Sequence, residues 1–404
     1  MRIIHTADWH LGKNLEGASR LDEQEKFIDF FVEKCEEIRP DLILIAGDVY
    51  DTPNPPARAE KLFYDALKKL SRGGECLSLV IAGNHDNPER LVSATPLAME
   101  HGIIMLGTPK TIVQPGGYGK HQVIRSDESM VEVTIGDERA VILAVPYPSE
   151  KRLNEVFYDD GEDEEERMAS YGEKIAALFS KLEQHFRDDT INLTVSHLFA
   201  FGADPAGSER VSSLGGTFQV GTDLLPQKAH YTALGHIHKP QILPNTDKRM
   251  RYSGSPIHYS ISEIAFDKKF FVIDIDENRH VTIREEAIPI FKPIELWKAD
   301  SIDEAIEKCR DHQGEESWVY IEVKTDRPIR EDEIKMMKSF KKDILEIRPM
   351  LNGRDRKIDA QRIAELSFEE QFIEFYKAQR DMDPQKEMVE LLMNILEEDE
   401  YEAD

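Results

Sequence analysis

The 404-residue sequence contains only three cysteines, Cys35, Cys76 and Cys309. Their wide separation excludes a disulfide framework and the paired cysteines of a structural zinc site. Long apolar runs are also absent, since the longest, such as 42–47 and 79–83, fall far short of the ~18 residues of a membrane-spanning helix. Polar residues in the N-terminal segment interrupt the apolar core that a secretory signal needs. We therefore expect a cytoplasmic protein without a membrane span, with its cysteines buried as small apolar residues.

Basic residues are scarce: 51 Lys and Arg face 78 Asp and Glu, which gives a formal net charge of -27. This deficit argues against a nucleic-acid partner, because phosphate binding depends on Lys and Arg. The acidic residues are concentrated, however. Residues 150–168 hold nine acidic and three basic side chains, and residues 360–404 hold 14 and four. The net charge is therefore compatible with a local basic groove elsewhere in the chain. The acidic run at 161–166 is interpreted as a solvated loop.

Short β-rich runs alternate with amphipathic segments in the first 100 residues. They predict strands at 2–7, 41–47 and 76–83, and helices at 21–38, 57–71 and 89–100. This βαβαβ order is typical of a layered α/β fold. From about 130 to 290 most runs are strand-like, including 251–261, with one helix near 171–187. The sequence therefore predicts a second sheet.

The pattern changes again after Pro289. Ser301 and Glu304 form a capping box at a predicted helix start, 318–323 is typical of a strand and 330–342 of a helix. A second capping box, Ser367 with Glu370, precedes apolar residues at helical spacing, which predicts two amphipathic helices at the end of the chain. We therefore divide the chain into domains at 1–288, 289–348 and 349–404.

Polar turns with metal-ligand residue types follow four predicted strands. They are Asp8-Trp9-His10, Gly47-Asp48, Gly83-Asn84-His85-Asp86 and Gly235-His236-Ile237-His238, and Ser196-His197 is a fifth candidate. Because the carboxyl ends of strands converge in layered α/β folds, these side chains can meet in one crevice. Carboxylate, imidazole and amide ligands suit Mn²⁺, Fe²⁺ or Zn²⁺. The set is large enough for two ions that share a carboxylate, as in centres that clamp phosphoryl oxygens.

In this order the motifs Asp-x-His, Gly-Asp, Gly-Asn-His-Asp, a lone His and Gly-His-x-His resemble the calcineurin-like metallophosphoesterase superfamily, over residues 1–285. Longer stretches closely resemble the SbcD family of nucleases: HTADWHLGK at 5–13, AGDVYDT at 46–52, NPP at 54–56, AGNHDNPERL at 82–91, GHIHKP at 235–240 and YSGSP at 252–256. The resemblance implies a four-layer α/β sandwich, with two mixed β-sheets flanked by helices. A small α+β capping domain and C-terminal helices would follow.

The resemblance also implies a binuclear centre with two Mn²⁺ ions, with Mg²⁺ or another divalent ion as alternatives. The implied ligands are Asp8, His10 and His238 for one ion, Asn84, His197 and His236 for the other, and Asp48 as the bridge. His85 would be the catalytic histidine, which stabilises the phosphate transition state or protonates the leaving oxygen. Asp51 stands where some relatives have a histidine and is left unassigned. Residues 252–256 are either a segment near the substrate or a structural turn.

The implied activity is Mn²⁺-dependent hydrolysis of DNA phosphodiesters in DNA repair and recombination. It includes 3′ to 5′ double-strand exonuclease and single-strand or hairpin endonuclease action. The protein would be a homodimer at the nucleoid and the catalytic component of an ATP-dependent complex. Its C-terminal helices, 360–396, would bind an SbcC-like ATPase. An apolar helical stripe normally belongs to a core, but the sequence offers these helices no further element to pack on.

Two alternatives stay open. Another calcineurin-like phosphodiesterase or phosphatase would carry the same metal centre. Phosphatases of the superfamily resemble one another in Gly-Asp-x-x-Asp-Arg-Gly and Gly-Asn-His-Glu, whereas this chain has Thr52 and Asp86 at the distinguishing positions. A non-catalytic scaffold for the ATPase would keep the fold, but its loss of activity would show as replaced ligands.

Several residues near the motifs are interpreted without a direct role in the chemistry. Asp86 is expected to orient His85 or to cap the next helix. Trp9 and Tyr50 are expected to pack in the core. The other histidines are interpreted as structural, among them His5, His101 and His258.

Overall fold

A computed structural model describes residues 1–153, 164–209 and 219–351, together with 371–373, 376, 384 and 389. The first elements are, in order, β1 (Arg2–Thr6), β2 (Asn14–Leu15), β3 (Ala18–Ser19), α1 (Leu21–Ile38), β4 (Leu42–Ala46), α2 (Ala57–Leu70), β5 (Leu77–Ile81), α3 (Pro88–Val92), α4 (Thr95–Ala98) and β6 (Ile103–Leu106). The βαβαβ order predicted for this region is present.

A mostly β region follows. Its elements are β7 (Gly116–Tyr118), β8 (His121–Asp127), β9 (Met130–Ile135), β10 (Glu138–Val145), α5 (Glu150–Leu153), α6 (Glu164–Glu183), β11 (Ile191–His197), β12 (Phe199–Ala200), β13 (Gln219–Val220), β14 (Tyr231–Gly235), β15 (Gln241–Ile242), β16 (Met250–Tyr252), β17 (Lys269–Ile275) and β18 (Val281–Ala287). The last region has β19 (Ile294–Ala299), α7 (Ile302–Asp311), β20 (Trp318–Thr325), α8 (Glu331–Phe340) and β21 (Ile344–Leu351). None of the described helices is long and apolar enough to cross a membrane.

Two β-sheets pack face to face. One has six strands in the order β18-β17-β1-β4-β5-β6, and the other has eight in the order β15-β16-β14-β11-β10-β9-β8-β7. Parallel pairs such as β1–β4 and β11–β14 occur beside antiparallel pairs such as β17–β18 and β8–β9, so both sheets are mixed. Leu44 of β4 and Ile142 of β10 belong to one buried apolar cluster, which lies between the sheets.

Helices cover the outer faces of both sheets. Phe27 and Phe31, one turn apart on α1, pack with Ile43 of β4 in a second cluster. On the eight-stranded sheet, Ile175 and Phe179 of α6 pack with strand residues in a third. The layers therefore run helix, sheet, sheet, helix, which confirms the predicted four-layer α/β sandwich.

The last three strands form a separate three-stranded sheet in the order β19-β20-β21. It has its own apolar core with α7 and α8, to which Ala305, Val319 and Met337 belong. Ser301 caps α7 by accepting a hydrogen bond from the Glu304 amide, as predicted. β21 continues to Leu351, past the domain boundary predicted at 348, and the domain division stays a prediction.

This small domain docks on the two-sheet domain, since residues 1–323 and 329–349 form one compact unit. Residues 324–328 and 350–404 form a second unit. Within the first, Trp318 of β20 packs in an apolar cluster with Leu15, and its Nε1 donates to Glu23 Oε1 on α1 at 2.6 Å. Arg20 donates to both carboxylate oxygens of Glu23, at 2.6 Å each. A buried polar contact inside an apolar interface therefore fixes the docking.

Three predicted elements differ in the structure. The helix expected at 89–100 is divided into α3, α4 and a 3₁₀ turn at Met99–His101, because Pro96 has no N–H to donate to the carbonyl oxygen of Val92, four residues earlier. The strand expected at 251–261 stops at Tyr252, since Gly254 turns the chain with a φ of 74°. The helix expected near 171–187 is α6, which begins at Glu164 and so includes part of the acidic run expected as a loop.

The predicted C-terminal helices at 360–396 lie outside the described residues, except for the six single positions given above. The three cysteines are free and buried, which confirms their interpretation as core residues.

Candidate metal centre

The carboxyl ends of five strands from the two sheets meet at one edge of the sandwich. The turns after β1, β4 and β5 face the end of β11 and the turn after β14. Two glycines permit this approach: a Cβ on Gly235 would lie 1.9 Å from the carbonyl oxygen of Ala46, and a Cβ on Gly47 would lie 2.3 Å from His197 Nδ1. The structure brings together all the predicted site residues, Asp8, His10, Asp48, Asn84, His85, His197, His236 and His238.

Four of these residues have left-handed backbone. The φ angles of Asp8, His10, Asp48 and His236 are 54°, 43°, 49° and 103°. Such angles cost non-glycine residues on the order of 1–3 kcal/mol each and occur where the surrounding structure imposes them, as at functional sites. Four of the twelve described non-glycine residues with positive φ therefore lie at this edge.

Three groups of described side chains can hold an ion: Asp8, His10 and His238; His10, Asp51 and His85; and Asp8, Asp48 and His197. We name Asp8, His10 and His238 the first ligand group. Nε2 of His10 lies 2.9 Å from Nε2 of His238. Asp8 is fully buried, and its Oδ2 has no hydrogen-bond partner among the described residues. Because a buried carboxylate oxygen without a partner is costly, this group fits a bound cation.

Asn84, His197 and His236 form the second ligand group. Asn84 Oδ1 lies 2.9 Å from His197 Nε2 and 3.0 Å from His236 Nδ1. His197 Nδ1 faces the carbonyl oxygen of Ala46 at 2.8 Å and must donate to it. In the neutral ring Nε2 then has a lone pair that points towards the lone pairs of the amide oxygen, which is an arrangement suited to a cation.

Asp48 lies between the two groups. Its Oδ2 is 3.4 Å from His197 Nε2 and 3.6 Å from His10 Nε2, while its Oδ1 accepts a hydrogen bond from the His85 amide at 2.9 Å. Burial opposes the charge on Asp48, but His197 and His85 outweigh it and hold the pKa of this carboxyl well below its usual range. An ionised Asp48 can therefore serve both groups.

Burial and the charge of Asp48 determine the protonation states of the predicted histidine ligands. Burial lowers the pKa of His236 to about 3, with a further contribution from His197, and burial also lowers the pKa of His10 well below its usual value. Both rings are therefore neutral at pH 7 and have a lone pair for an ion. Burial also acts on His197, but the charge of Asp48 outweighs it and raises the pKa of His197 to about 9. A proton on His197 thus supplies positive charge that a metal ion would replace.

His85 lies beside this pair of groups and is 5% exposed. Its Nδ1 donates to the carbonyl oxygen of Asp51 at 2.8 Å, and its Nε2 lies 3.9 Å from Asp48 Oδ2. The Asp51 carboxylate, which sequence reasoning left unassigned, lies 3.6 Å from His10 Nδ1 and 3.8 Å from His85 Nδ1 and pairs with Lys13 at 2.9 Å. The ring of His85 therefore presents Nε2 to the space in front of Asp48.

Asp86 braces the turns instead of capping a helix. Its carboxylate accepts hydrogen bonds from the amides of Val49, Tyr50 and Gly83 at 3.1, 2.9 and 2.8 Å. The cap of α3 is the next residue, Asn87. Burial, together with the charge of Asp48, raises the pKa of Asp86 to about 7. Asp86 thus fixes the loop that carries His85, one of its two expected roles.

Residues 252–256 lie against the main chain of a predicted ligand. The Ser255 amide donates to the carbonyl oxygen of His238 at 3.1 Å, and a Cβ on Gly254 would lie 2.5 Å from the same oxygen. Sequence reasoning missed Glu263, whose Oε1 lies 3.3 Å from His238 Nδ1. It also missed Arg152, which donates to the carbonyl oxygens of Gly83 and Asp86 at 2.7 Å each. Neither residue lies in a motif, so periodicity and spacing gave no signal for them.

Residues interpreted as structural behave so. Trp9 is fully buried and packs edge-on against Phe27, and Tyr50 is buried against Phe63. His5 contacts the hydroxyl of Tyr231 at 2.8 Å inside the sandwich. His258 contacts the carbonyl oxygen of Phe266 at 3.0 Å.

Two family models match the chain. One, described as calcineurin-like phosphoesterase, matches residues 1–240. The other, described as Type 5 capsule protein repressor C-terminal domain, matches residues 290–380.

Curated relatives match over most of their length. The SbcD component of the nuclease SbcCD of Bacillus subtilis (strain 168) is 36% identical over 397 residues, which cover 98% of this chain and 97% of that protein. The protein of the same name from Rhodobacter capsulatus is 31% identical over 82% of each chain. That from Escherichia coli (strain K12) is 29% identical over 92% of each.

Proposed function

The chain belongs to the calcineurin-like phosphoesterase family, together with the bacterial SbcD components of SbcCD nucleases, and we propose that it is a Mn²⁺-dependent nuclease that hydrolyses DNA phosphodiester bonds. The observation that carries this proposal is the contact of two ligand groups through one carboxylate, since Asp48 Oδ2 reaches His10 at 3.6 Å and His197 at 3.4 Å. Such a pair of sites is suited to phosphoryl transfer.

In this proposal the two groups hold two divalent ions. Asp8, His10 and His238 bind one, Asn84, His197 and His236 bind the other, and Asp48 binds both. The ions would lower the pKa of bound water and neutralise charge on the phosphoryl oxygens. The groups that can hold an ion among the described residues offer histidine and carboxylate donors. This donor set, with the Asn84 amide, suits Mn²⁺ better than it suits a thiolate-preferring ion.

His85 is the catalytic side chain in this proposal. Because its Nδ1 donates to the carbonyl oxygen of Asp51, its orientation is fixed and Nε2 faces the space in front of Asp48. When protonated, Nε2 can donate to a phosphoryl oxygen or to the leaving oxygen of the broken ester. The Asp86 carboxylate and the Arg152 guanidinium hold the turn that carries His85.

We choose DNA as the substrate because the relatives are named as nucleases. The metal centre itself is compatible with other phosphodiesters. We propose 3′ to 5′ exonuclease action on duplex ends and endonuclease action on single strands and hairpins. A DNA substrate places the protein in the cytoplasm at the nucleoid.

We also propose that the chain works as a homodimer with an SbcC-like ATPase. The name of the relatives describes one component of a larger nuclease, and the second family model extends over 290–380, into the predicted C-terminal helices. Those helices, 360–396, are the segment we assign to the ATPase.

The proposal is tested by incubating the purified chain with Mn²⁺ or with EDTA, alone and with the ATPase and ATP. The substrates are end-labelled linear duplex, a DNA hairpin and bis(4-nitrophenyl) phosphate. We expect Mn²⁺-dependent cleavage of the aryl diester by the chain alone and of DNA by the complex. Cleavage of the aryl diester without cleavage of either DNA in the complex would contradict the substrate, and no cleavage of any substrate would contradict the centre.

A further inference from the structure

A buried pair of opposite charges lies behind the ring of His238. Glu263 is 0% exposed and Lys268 is 2% exposed. Lys268 Nζ donates to Glu263 Oε2 and, at 2.7 Å, to Ser255 Oγ, and Ser255 Oγ donates to Glu263 Oε2 at 3.2 Å. Because burying two charges costs a large desolvation free energy, such a pair is weak evidence for stability. Its position beside a predicted metal ligand points to another role.

The pair contacts both the ring and the main chain of His238. Glu263 Oε1 lies 3.3 Å from His238 Nδ1, and Lys268 Nζ donates to the His238 carbonyl oxygen at 3.1 Å. An ionised carboxylate can only accept hydrogen bonds, so Glu263 favours the ring tautomer with its proton on Nδ1. Nε2 then keeps its lone pair, and Nε2 is the atom that lies 2.9 Å from His10 Nε2 inside the first ligand group.

The hydroxyl of Ser208 also contacts the ring of His238. Its Oγ lies 2.7 Å from His238 Nδ1. A hydroxyl can donate or accept, so Ser208 is compatible with either tautomer, and only the carboxylate selects between them. The preference for a proton on Nδ1 therefore comes from Glu263.

The second ligand group is supported differently. His197 Nδ1 faces a neutral main-chain carbonyl, that of Ala46, at 2.8 Å. A carboxylate behind an imidazole makes the ring a more basic ligand and fixes its orientation, and loss of such a partner typically lowers metal affinity ~10- to 100-fold. Changing this one carboxylate to an amide should therefore lower the metal affinity of the first ligand group and not that of the second.

We propose that Glu263 is a positioning residue that holds His238 in its metal-binding tautomer and raises the affinity of the first ligand group for a divalent ion, with Ser255 and Lys268 holding Glu263 in place. This inference rests on the binuclear centre of the proposed function. It also gives the segment from Tyr252 to Lys268 a role as the support of a ligand, not as a contact to substrate.

The test measures Mn²⁺ affinity of full-length chains by isothermal titration calorimetry. Glu263→Gln is placed in two backgrounds: His197→Ala, which keeps the first group, and His10→Ala, which keeps the second. We expect the affinity to fall ~10- to 100-fold in the His197→Ala background. In the His10→Ala background it should change by less than about twofold, because the carboxylate does not contact the second group. An unchanged affinity of the first group, or equal losses in both groups, would overturn the proposal.

Two further chains keep the result interpretable. Glu132→Gln is the matched control, since Glu132 is also a buried carboxylate paired with cations, Arg125 on β8 and Arg187 in the segment before β11. It should leave both affinities unchanged. If Glu263→Gln does not fold, Ser255→Ala replaces it. We expect Ser255→Ala to lower the Mn²⁺ affinity of the first ligand group several-fold, and an unchanged affinity would contradict the proposal.

The wild-type chain separates this inference from the function on which it rests. Two Mn²⁺ ions should bind per wild-type chain. Binding of none would contradict the binuclear centre itself. Two ions in the wild type, with no effect of Glu263→Gln on the first group, would overturn the role of Glu263 alone.

Discussion

Nε2 of His10 and Nε2 of His238 lie 2.9 Å apart, although the two residues are 228 positions apart in the chain. His10 follows a strand of the six-stranded sheet and His238 follows a strand of the eight-stranded sheet. Their contact therefore exists only where the two sheets meet at their carboxyl ends. Both rings are buried, so a proton or a metal ion must separate the two nitrogen lone pairs.

Replacing His85 by Ala should separate metal binding from catalysis. Because His85 faces Asp48 but belongs to neither ligand group, the variant should keep two Mn²⁺ ions per chain. Its kcat on the aryl diester should fall on the order of 10²- to 10³-fold, the usual cost of losing a transition-state donor. The metal content is measured by plasma mass spectrometry after dialysis. His280→Ala, an exposed histidine on the approach to β18, is the control and should keep full activity. A metal-free His85→Ala chain would contradict the assigned role.

Replacing Asp48 by Ala should affect both ions at once. Asp48 Oδ2 lies within 3.6 Å of a ring nitrogen in each group, so its loss removes a ligand from each. We expect fewer than two Mn²⁺ ions per chain and activity at background. The same dialysis measurement checks this, with His280→Ala again as control. Two retained ions would show that Asp48 does not bridge the groups.

The contact between the small domain and α1 predicts how two substitutions change the free energy of unfolding. Trp318→Phe removes a donor to Glu23, at 2.6 Å, and should cost about 1–3 kcal/mol of unfolding free energy. Glu23→Ala also leaves the buried Arg20 without its bidentate partner and should cost more, about 3–5 kcal/mol. Urea denaturation measures both. Equal or reversed losses would mean that this ion pair does not fix the docking.

Acid stability should depend on Glu132. Hydrogen bonds from Arg187, opposed by burial and aided by Arg125, lower the pKa of Glu132 from 4.5 to about 2. A lowered folded-state pKa gives stability that is complete above pH 4.5 and is lost as the pH falls towards 2. Glu132→Gln should therefore be less stable than the wild type by about 1–3 kcal/mol at pH 7, since its arginine partners are partly exposed and solvent screens the pair. This difference should shrink between pH 4.5 and 2. A difference that stays constant over this range would contradict the shifted pKa.

Truncation should separate the centre from the partner. Because β21 continues to Leu351, the chain should be ended after Gly353, so that the small domain keeps its last strand. We expect this chain to keep Mn²⁺-dependent cleavage of the aryl diester and to lose co-purification with the ATPase. Full retention of the ATPase would show that residues 360–396 are not the docking segment.

Local patterns in the sequence predicted most of the fold. The apolar runs at Leu42–Ala46 and Leu77–Ile81 are buried parallel strands, as their composition indicates. The motif residues meet at one edge because they lie at or just after the carboxyl ends of parallel strands. Their assignment as ligands stays a prediction.

Other features depend on tertiary contacts that no local pattern contains. The segment from Ser262 to Lys268 has the charged composition of a surface loop, yet Glu263 and Lys268 are buried because they pair with each other and with His238. The break between α3 and α4 depends on a single proline, Pro96, which has no N–H to continue the helix. The buried pair depends on contacts between residues that are distant in the chain, so a local sequence pattern does not predict it.

The most direct test of the centre is the anomalous scattering of crystals grown with Mn²⁺. We expect two peaks per chain at the shared edge of the two sheets, one bound by Asp8, His10 and His238 and one by Asn84, His197 and His236, with Asp48 bound to both. A single peak, or peaks bound by other residues, would contradict it.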